Sequence, residues 1–404
     1  VKAKSGTTAT IPKERMISLG PDMPSIPERL LLAHARGEVL FVAGAGVSLP
    51  AGLPDFRRLV IDVYEKLDSA IHAVVTSSPD EEEGDISGLT NRQIAEVRRF
   101  KRRDYDVALG MLERRLDDEP SKESKVRSAI AEILRSPRTK HAPIHRALMR
   151  LADRGGASAI VTTNFDVLLQ QAAPRTSRSF LTTYAMGAIP RPSRRPDFSG
   201  VMHIHGVLDA NPKKFSDMIV TDQDFGEFYL HRRSIPDLIY DAARLYHLVL
   251  VGYSADDPPM RYLLHAIAAD GSRFDDLKER FTFVGVKTAD PIAVEDWNGR
   301  GITPVPYDSK DGHIALLKLL NRWSALSANL GDSRHADAEL RRIVNSTRPN
   351  ATEADQDLFD HLVRRGSPAE RVRISGLISK CGADWSWLDS IRAICVERDG
   401  RDDR

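Results

Sequence analysis

Val39-Leu40-Phe41-Val42-Ala43-Gly44-Ala45-Gly46-Val47-Ser48 is an apolar run that breaks into small residues and a hydroxyl. A strand buried on both faces gives such a run, and its C-terminal end is where a parallel sheet presents its ligand loops. The design recurs in Ile160-Val161-Thr162-Thr163-Asn164-Phe165-Asp166 and in Leu248-Val249-Leu250-Val251-Gly252-Tyr253-Ser254. His203-Ile204-His205-Gly206 closes a shorter strand at 201–205. Further strands are predicted at 281–286 and 302–307, alternating with helices such as 53–67 and 143–151. This alternation predicts an α/β fold with a doubly wound, parallel, Rossmann-like sheet.

Two regions depart from the alternation. Residues 70–150 are highly charged and lack a convincing strand. Apolar residues recur at helical spacing over 93–116 and 125–134, which predicts a helical module inserted between the first and second strands. After about Trp323 the strands stop, and 326–404 is expected to be a helical appendage broken near Pro349 and Gly366-Ser367-Pro368. The main domain then spans 23–325, its first helix capped by Ser25. Residues 1–22, rich in Lys, Thr, Ser, Gly and Pro, predict a poorly ordered tail. The Pro-, Arg- and Ser-rich stretch 174–196 is expected to act as a mobile lid. Trp385 and Trp387 with Leu388, Ile391 and Ile394 form a helix-packing face, either intramolecular or at an oligomer contact.

Composition removes several classes. Lys and Arg total 58 against 57 Asp and Glu, so no global field recruits nucleic acid or membrane. The local cluster Arg98-Arg99-Phe100-Lys101-Arg102-Arg103 is either a phosphate contact or the solvated face of a helix. Two cysteines, Cys381 and Cys395, exclude a disulfide framework and a four-cysteine zinc site, and are expected to be buried structural residues. No metal site is expected. With no long apolar run and no signal pattern, a cytoplasmic protein is expected.

The strand ends carry the candidate chemistry. Gly44, Ala45, Gly46 and Ser48 form a turn whose backbone amides can approach a pyrophosphate, although no Walker Gly-Lys-Ser/Thr follows. Gly52-Leu53-Pro54-Asp55-Phe56-Arg57 sets a rigid turn, a carboxylate, an aromatic face and a guanidinium in close succession, or else simply caps the next helix. Gly252 permits close approach, and the Ser254 hydroxyl can bond a phosphate or ribose. Asp257 is a candidate ribose ligand, whereas Asp256 is accounted for as an acidic helix start. Asn164, flanked by Thr163 and Asp166 as further ligand contacts, can hold ribose hydroxyls or an attacking water. Its alternative is an Asn-Phe-Asp turn that caps the following helix. His205 has an unperturbed pKa suited to accepting a proton from a hydroxyl or water, and His203 lines the wall or packs inward.

In order and content these blocks resemble the sirtuin-like family of NAD-consuming proteins. The resemblance implies that Phe56 covers the NAD ribose, Arg57 steadies phosphate or loop, and Asp55 orients the turn. It implies that His205-Gly206 matches the family's His-Gly pair and carries the base, and that Tyr307 with Asp311-Gly312-His313 borders adenine. Two departures stand out. The paired cysteines of the deacylases' zinc module are missing, and Thr163 stands where deacylases have Gln before the Asn. Both point toward bacterial NAD-degrading branches, often antiviral effectors. The resulting expectation is an NAD glycohydrolase that gives nicotinamide and ADP-ribose without a metal. It would be restrained until released by homo-oligomeric assembly or by a partner: a HerA-like DNA translocase, an Argonaute-like protein or a nucleotide-signal sensor domain. The alternatives are a sirtuin-type protein deacylase or ADP-ribosyltransferase, and a non-catalytic subunit that senses NAD or ADP-ribose.

Overall fold

Met16–Ile17 (β1) pairs antiparallel with Ile26–Pro27 (β2), which runs directly into the helix Glu28–Ala35. The computed structural model describes residues 14–79, 82, 84–117, 124–135, 140–153, 158–174, 181–193, 197–208, 218–254, 277–286, 291–327 and 333–402. Residues 14–22, expected in the tail, therefore include a paired strand, and Ile17 and Leu19 are buried. Pro27 occupies the N-cap of the first helix without a side-chain cap, so Ser25 does not serve there. Buried Glu28 accepts a hydrogen bond from Arg364 at 2.9 Å and lies 3.3 Å from His361 Nδ1. These ties group the N-terminal helix with the C-terminal helices in one unit, Val1–Arg36 with Ser333–Arg404, whereas the sequence boundaries placed it in the main domain.

The C-terminal helices are Arg334–Ile343, Glu353–Arg365, Pro368–Lys380 and Trp385–Asp402. Trp387 is fully buried, donates Nε1–H to the Ser346 carbonyl at 2.8 Å and meets the Phe359 ring at 4.5 Å. Ile391 and Ile394 share its face, but Trp385 is 78% exposed, so the packing stripe is narrower than expected. Cys381 is exposed just beyond a helix end and Cys395 is half-buried, so neither is the core thiol that its residue type suggested.

The second unit, Gly37–Asp332, holds the sheet. Its strands are Val39–Ala43 (β3), Ala159–Thr162 (β4), Thr183–Ala185 (β5), Gly200–His203 (β6), His247–Val251 (β7), Arg280–Val286 (β8) and Thr303–Asp308 (β9). All pairings are parallel in the order β5-β6-β4-β3-β7-β8-β9. Every residue of β3, β4 and β6 is buried, as expected where helices cover both faces. β5 was not foreseen: it lies in the stretch expected to be a lid and pairs with β6 as an edge strand. Residues 175–180 and 194–196 of that stretch lie outside the described residues.

Between β3 and β4 the chain forms the helices Phe56–Leu67, Ser69–Ser77, Asn91–Lys101, Tyr105–Leu116, Lys125–Leu134 and Pro143–Leu151. Most of them share a separate apolar core built on Tyr64, Phe100, Leu109 and Ile130. Phe165, Leu208, Met218 and Val220, from segments after β4 and β6, enter that same core. Within the basic cluster Phe100 is buried, Lys101 donates to the Ser78 and Pro79 carbonyls, and Arg99 pairs with Asp104 at 3.2 Å.

Candidate active site

Register sets the site. Ala43 pairs with both Thr162 and Val251, and Thr162 pairs with His203, so the four central strands end in one row. From β3 the chain continues to β4 on one side, while β7 lies on the other. The carboxyl ends of β3 and β7 thus form the switch point where open α/β sheets bind ligands.

The glycines at this point serve the strand crossing. Gly44 N–H donates to the Val251 carbonyl and Gly46 N–H to the Gly252 carbonyl, both at 2.9 Å. A Cβ at Gly46 would lie 2.8 Å from the Gly252 oxygen, and one at Gly44 would lie 2.6 Å from the Tyr253 ring. Gly252, at φ +76°, would bring its own Cβ to 2.6 Å from the Val47 nitrogen. The two glycine amides expected to cradle a pyrophosphate are therefore committed to the neighbouring strand.

Asn164 is the best-held polar side chain of the site. Its Nδ2 donates to the Gly44 carbonyl at 3.0 Å and to Ser48 Oγ at 3.1 Å. Both amide hydrogens are used, which fixes the plane of the carboxamide and leaves Oδ1 as its acceptor for a ligand. Ser48 Oγ donates onward to Asp166 Oδ2 at 2.8 Å. His145 completes the knot from the opening turn of the helix Pro143–Leu151, with Nε2 3.4 Å from Ser48 Oγ. His145 Nδ1 accepts the Ala142 amide, so Nε2 carries the hydrogen and points it at the serine. Burial lowers the His145 pKa to about 4, and burial pushes the Asp166 carboxyl up against the opposing bonds from Leu168 N–H and Ser48. Asp166 also accepts the Leu168 amide, so the capping role weighed for this turn is real and coexists with the Asn164 network.

Thr163 donates to the Tyr253 hydroxyl at 3.0 Å, and that hydroxyl donates to the Ala43 carbonyl at 3.0 Å. The two histidines diverge because β6 ends at His203 and Gly206 turns the chain at φ +97°. His203 Nδ1 donates to the Asn164 carbonyl at 2.8 Å, so its Nε2 accepts from the Gln170 amide at 2.7 Å. It braces Asn164 from behind, and burial lowers its pKa to about 4. His205 is 1% exposed, with Nε2 2.7 Å from the Tyr229 hydroxyl and its ring edge-on to Phe225 at 5.6 Å. Burial lowers its pKa to about 3, which corrects the expectation of a base near neutrality.

These groups line two adjoining cavities, an inner and an outer lobe. The inner lobe, about 70 Å³, is lined by Asn164, Thr163, Asp166, His205, Ser48 and Phe56 among others. The outer lobe, about 810 Å³, takes in Gly46, Gly252, Ser254, Tyr307 and the Trp297 ring. Ala45, Asp55 and Tyr253 line both. Tyr307 donates to, or accepts from, His313 Nδ1 at 2.8 Å, and burial raises its pKa to about 12. Asp55 is also the N-cap of the helix Phe56–Leu67, accepting Arg58 N–H at 2.7 Å, so the capping alternative holds together with a cavity position. Arg57 is turned to the insert instead, its guanidinium 5.4 Å above the Phe100 ring. Asp257 lies outside the described residues.

Sequence reasoning left His145, Gln170, Tyr229 and Tyr253 without roles. His145 carried one usable signal, its place two residues after Pro143 at a helix start; Tyr229 and Gln170 carried none, because only the tertiary fold brings them to the histidines. Among the described residues no group of three or more His, Cys, Asp or Glu side chains is arranged to hold a metal ion. No helix among them is long and apolar enough to cross a membrane.

Residues 158–304 match the family of SIR2-like domains. That segment begins just before β4 and carries Asn164, His205 and Ser254. The chain is 29% identical over 390 residues to the uncharacterized protein y4cA of Sinorhizobium fredii, a match that covers 94% of this chain. The chain spans 29% of that protein's length. A solved structure described as "Structural Basis for the Mechanism and Regulation of Sir2 Enzymes" is similar at 16% identity and a TM-score of 0.34. That similarity covers 74% of this chain and 97% of the other.

Proposed function

We propose that this chain is an NAD glycohydrolase that cleaves NAD into nicotinamide and ADP-ribose. The observation that carries the reading is the Asn164 carboxamide, oriented by Gly44 and Ser48 while His203 holds the residue's main-chain carbonyl, opening with His205 onto one cavity at the sheet's switch point. The match of residues 158–304 to SIR2-like domains supports the choice of NAD.

The residues present fit such a substrate. The outer lobe falls within the usual size of small-molecule sites, and its Trp297, Phe283 and Leu317 walls suit a planar base. The inner lobe offers an amide, three hydroxyls and two carboxylates to ribose. At about 70 Å³ it is smaller than the roughly 150 Å³ cavity that admits benzene, so a wall must give for the nicotinamide ring. The irregular Leu53–Asp55 segment, tied to the following helix through Asp55, is one wall that could give.

In this reading Asn164 Oδ1 holds the attacking water or a ribose hydroxyl on one face of the sugar. Water bonds to the anomeric carbon as the bond to nicotinamide breaks, and the electron pair leaves with nicotinamide. The water then sheds a proton. A water already bonded to an electron-poor carbon is a strong acid, so a base as weak as His205 suffices after bond breaking. Asp166, lifted by burial, supplies negative charge near the developing cation when ionised. Restraint before activation, by assembly or by a partner such as a HerA-like translocase, is part of the same proposal, as is a role in antiphage defence.

The test is NAD consumption by the purified protein beside Asn164→Ala and His205→Ala, with products separated by chromatography. Nicotinamide and ADP-ribose from the wild type alone, with ADP-ribose binding retained in both variants, support the assignment. Wild-type protein that releases no nicotinamide, alone or with a HerA-like partner, would sink it.

A further inference from the structure

The helical insert reaches the His205 side of the cavity through one buried guanidinium. Arg127, on the helix Lys125–Leu134, is 6% exposed. Its Nε donates to Glu113 at 3.2 Å, its Nη1 to the Met218 carbonyl at 2.5 Å, and its Nη2 to both Asp224 oxygens at 2.7 and 2.8 Å. Asp224 Oδ2 also accepts Val220 N–H, Thr221 N–H and Thr221 Oγ1, a capping box for the short helix Asp222–Phe225. Between these two anchors, Ile219 N–H donates to the His205 carbonyl at 2.9 Å.

That short helix runs on into the π-helical stretch Gly226–His231. Phe225 meets the His205 ring edge-on, and Tyr229 on the π-helical stretch holds its Nε2. A second contact fixes the same helix from the insert. Arg114 donates to Asp222 at 3.2 and 3.3 Å, and Asp222 seats against Gly110, where a Cβ would lie 1.9 Å from its Oδ1. Met218 and Val220 are buried in the insert's own core. The backbone around His205 and the aromatic rings on its imidazole are therefore both referenced to the insert.

We propose that Arg127 is a positioning residue for His205, acting through Asp224 and the capped helix that carries Phe225 and Tyr229 to the imidazole. A buried fork with four acceptors has no substitute: lysine offers a point charge without the planar geometry, and an apolar side chain leaves carboxylates unpaired. Misplacement of a reacting group by about 1 Å can cost on the order of 100-fold in rate. The proposal rests on the role given to His205 above.

The experiment uses the full chain with ¹⁵N-labelled histidine imidazoles, the His205 signals being assigned by their loss in His205→Gln. Arg127→Met, Arg127→Lys and Gly110→Ala are compared with wild type and with Gly88→Ala, where a Cβ meets nothing within 4 Å. In folded Arg127→Met the His205 resonances should shift while those of His203, held by Asn164 and Gln170, stay in place. In the same variant kcat for NAD should fall by about tenfold or more with KM changed by less than about threefold. Arg127→Lys should not restore either signal. Unchanged His205 resonances and kcat in folded Arg127→Met would overturn the proposal. If that variant does not fold, Gly110→Ala displaces the same helix from its other contact, and an unmoved His205 there would overturn it equally. If the wild type cleaves no NAD, the glycohydrolase reading fails, and the resonances alone decide whether Arg127 positions His205.

Discussion

Ser48 joins three side chains at one oxygen: it accepts from Asn164 and His145 and donates to Asp166. Replacement by alanine removes both the acceptor and the donor. Ser48→Ala should therefore release the Asn164 carboxamide, lowering the proposed NAD cleavage by about 10- to 100-fold, and should cost about 1–3 kcal/mol for the unmet buried partners. Initial-rate kinetics and urea unfolding measure the two effects separately; a variant with wild-type rate would show that Asn164 does not depend on the serine. Asn164→Asp is nearly isosteric but has no hydrogens for Gly44 and Ser48, and it adds a carboxylate near Asp166. It should lose activity as fully as Asn164→Ala, and retained cleavage would remove the amide from the mechanism. At this scale the sequence was informative where the cavity's side chains follow a strand end. Asn164, Thr163, Asp166 and Ser48 follow apolar runs and were visible there. His205 was visible, but its weak basicity was not, since burial beside Phe225 and Tyr229 is a property of packing.

At the scale of elements, the central strands were legible because parallel strands buried on both faces leave continuous apolar runs, as in β3 and β7. β5 was not, because an edge strand of three residues needs no such run and sits among prolines and arginines. The glycine turn was placed correctly and its purpose was not. Gly46 and Gly252 let two strand ends pass at backbone contact, so Gly252→Ala should cost about 2 kcal/mol or more, from both its φ of +76° and the clash with Val47. Gly376→Ala, in the middle of a helix with nothing within 4 Å, should instead gain about 0.5–1 kcal/mol. Urea midpoints compare the pair; equal effects would mean that the crossing tolerates a side chain.

The whole molecule carries a pH signature. His145, His203 and His205 are buried neutral, with pKa values held by burial at about 4, 4 and 3. Each lies below its unfolded value, so the unfolded chain binds more protons once the pH drops under about 6.5, and stability falls with it. At pH 5 the loss should reach about 2 kcal/mol per histidine, partly offset by Asp166, whose raised pKa acts in the opposite direction. Urea unfolding at pH 7 and pH 5 tests this, and a midpoint that holds or rises at pH 5 would refute it. His203→Gln should lose less stability over the same interval.

The register of β3, β4, β6 and β7 has a consequence for how the protein is made. Chains emerge from the ribosome N-terminus first, and domains fold as they are completed. Gly44 and Ser48 come before their partner Asn164 and before His205 and Tyr253, which line the same cavity and are added much later, after the entire insert. Closing β3 onto β4 across so long a loop is intrinsically slow. A nascent chain that stops short of residue 247 has no β7 to hold the Gly44–Ser48 turn and no Tyr253 to line the two lobes. If the pocket consumes NAD, translation itself keeps the cell's cofactor pool safe until the sheet is whole.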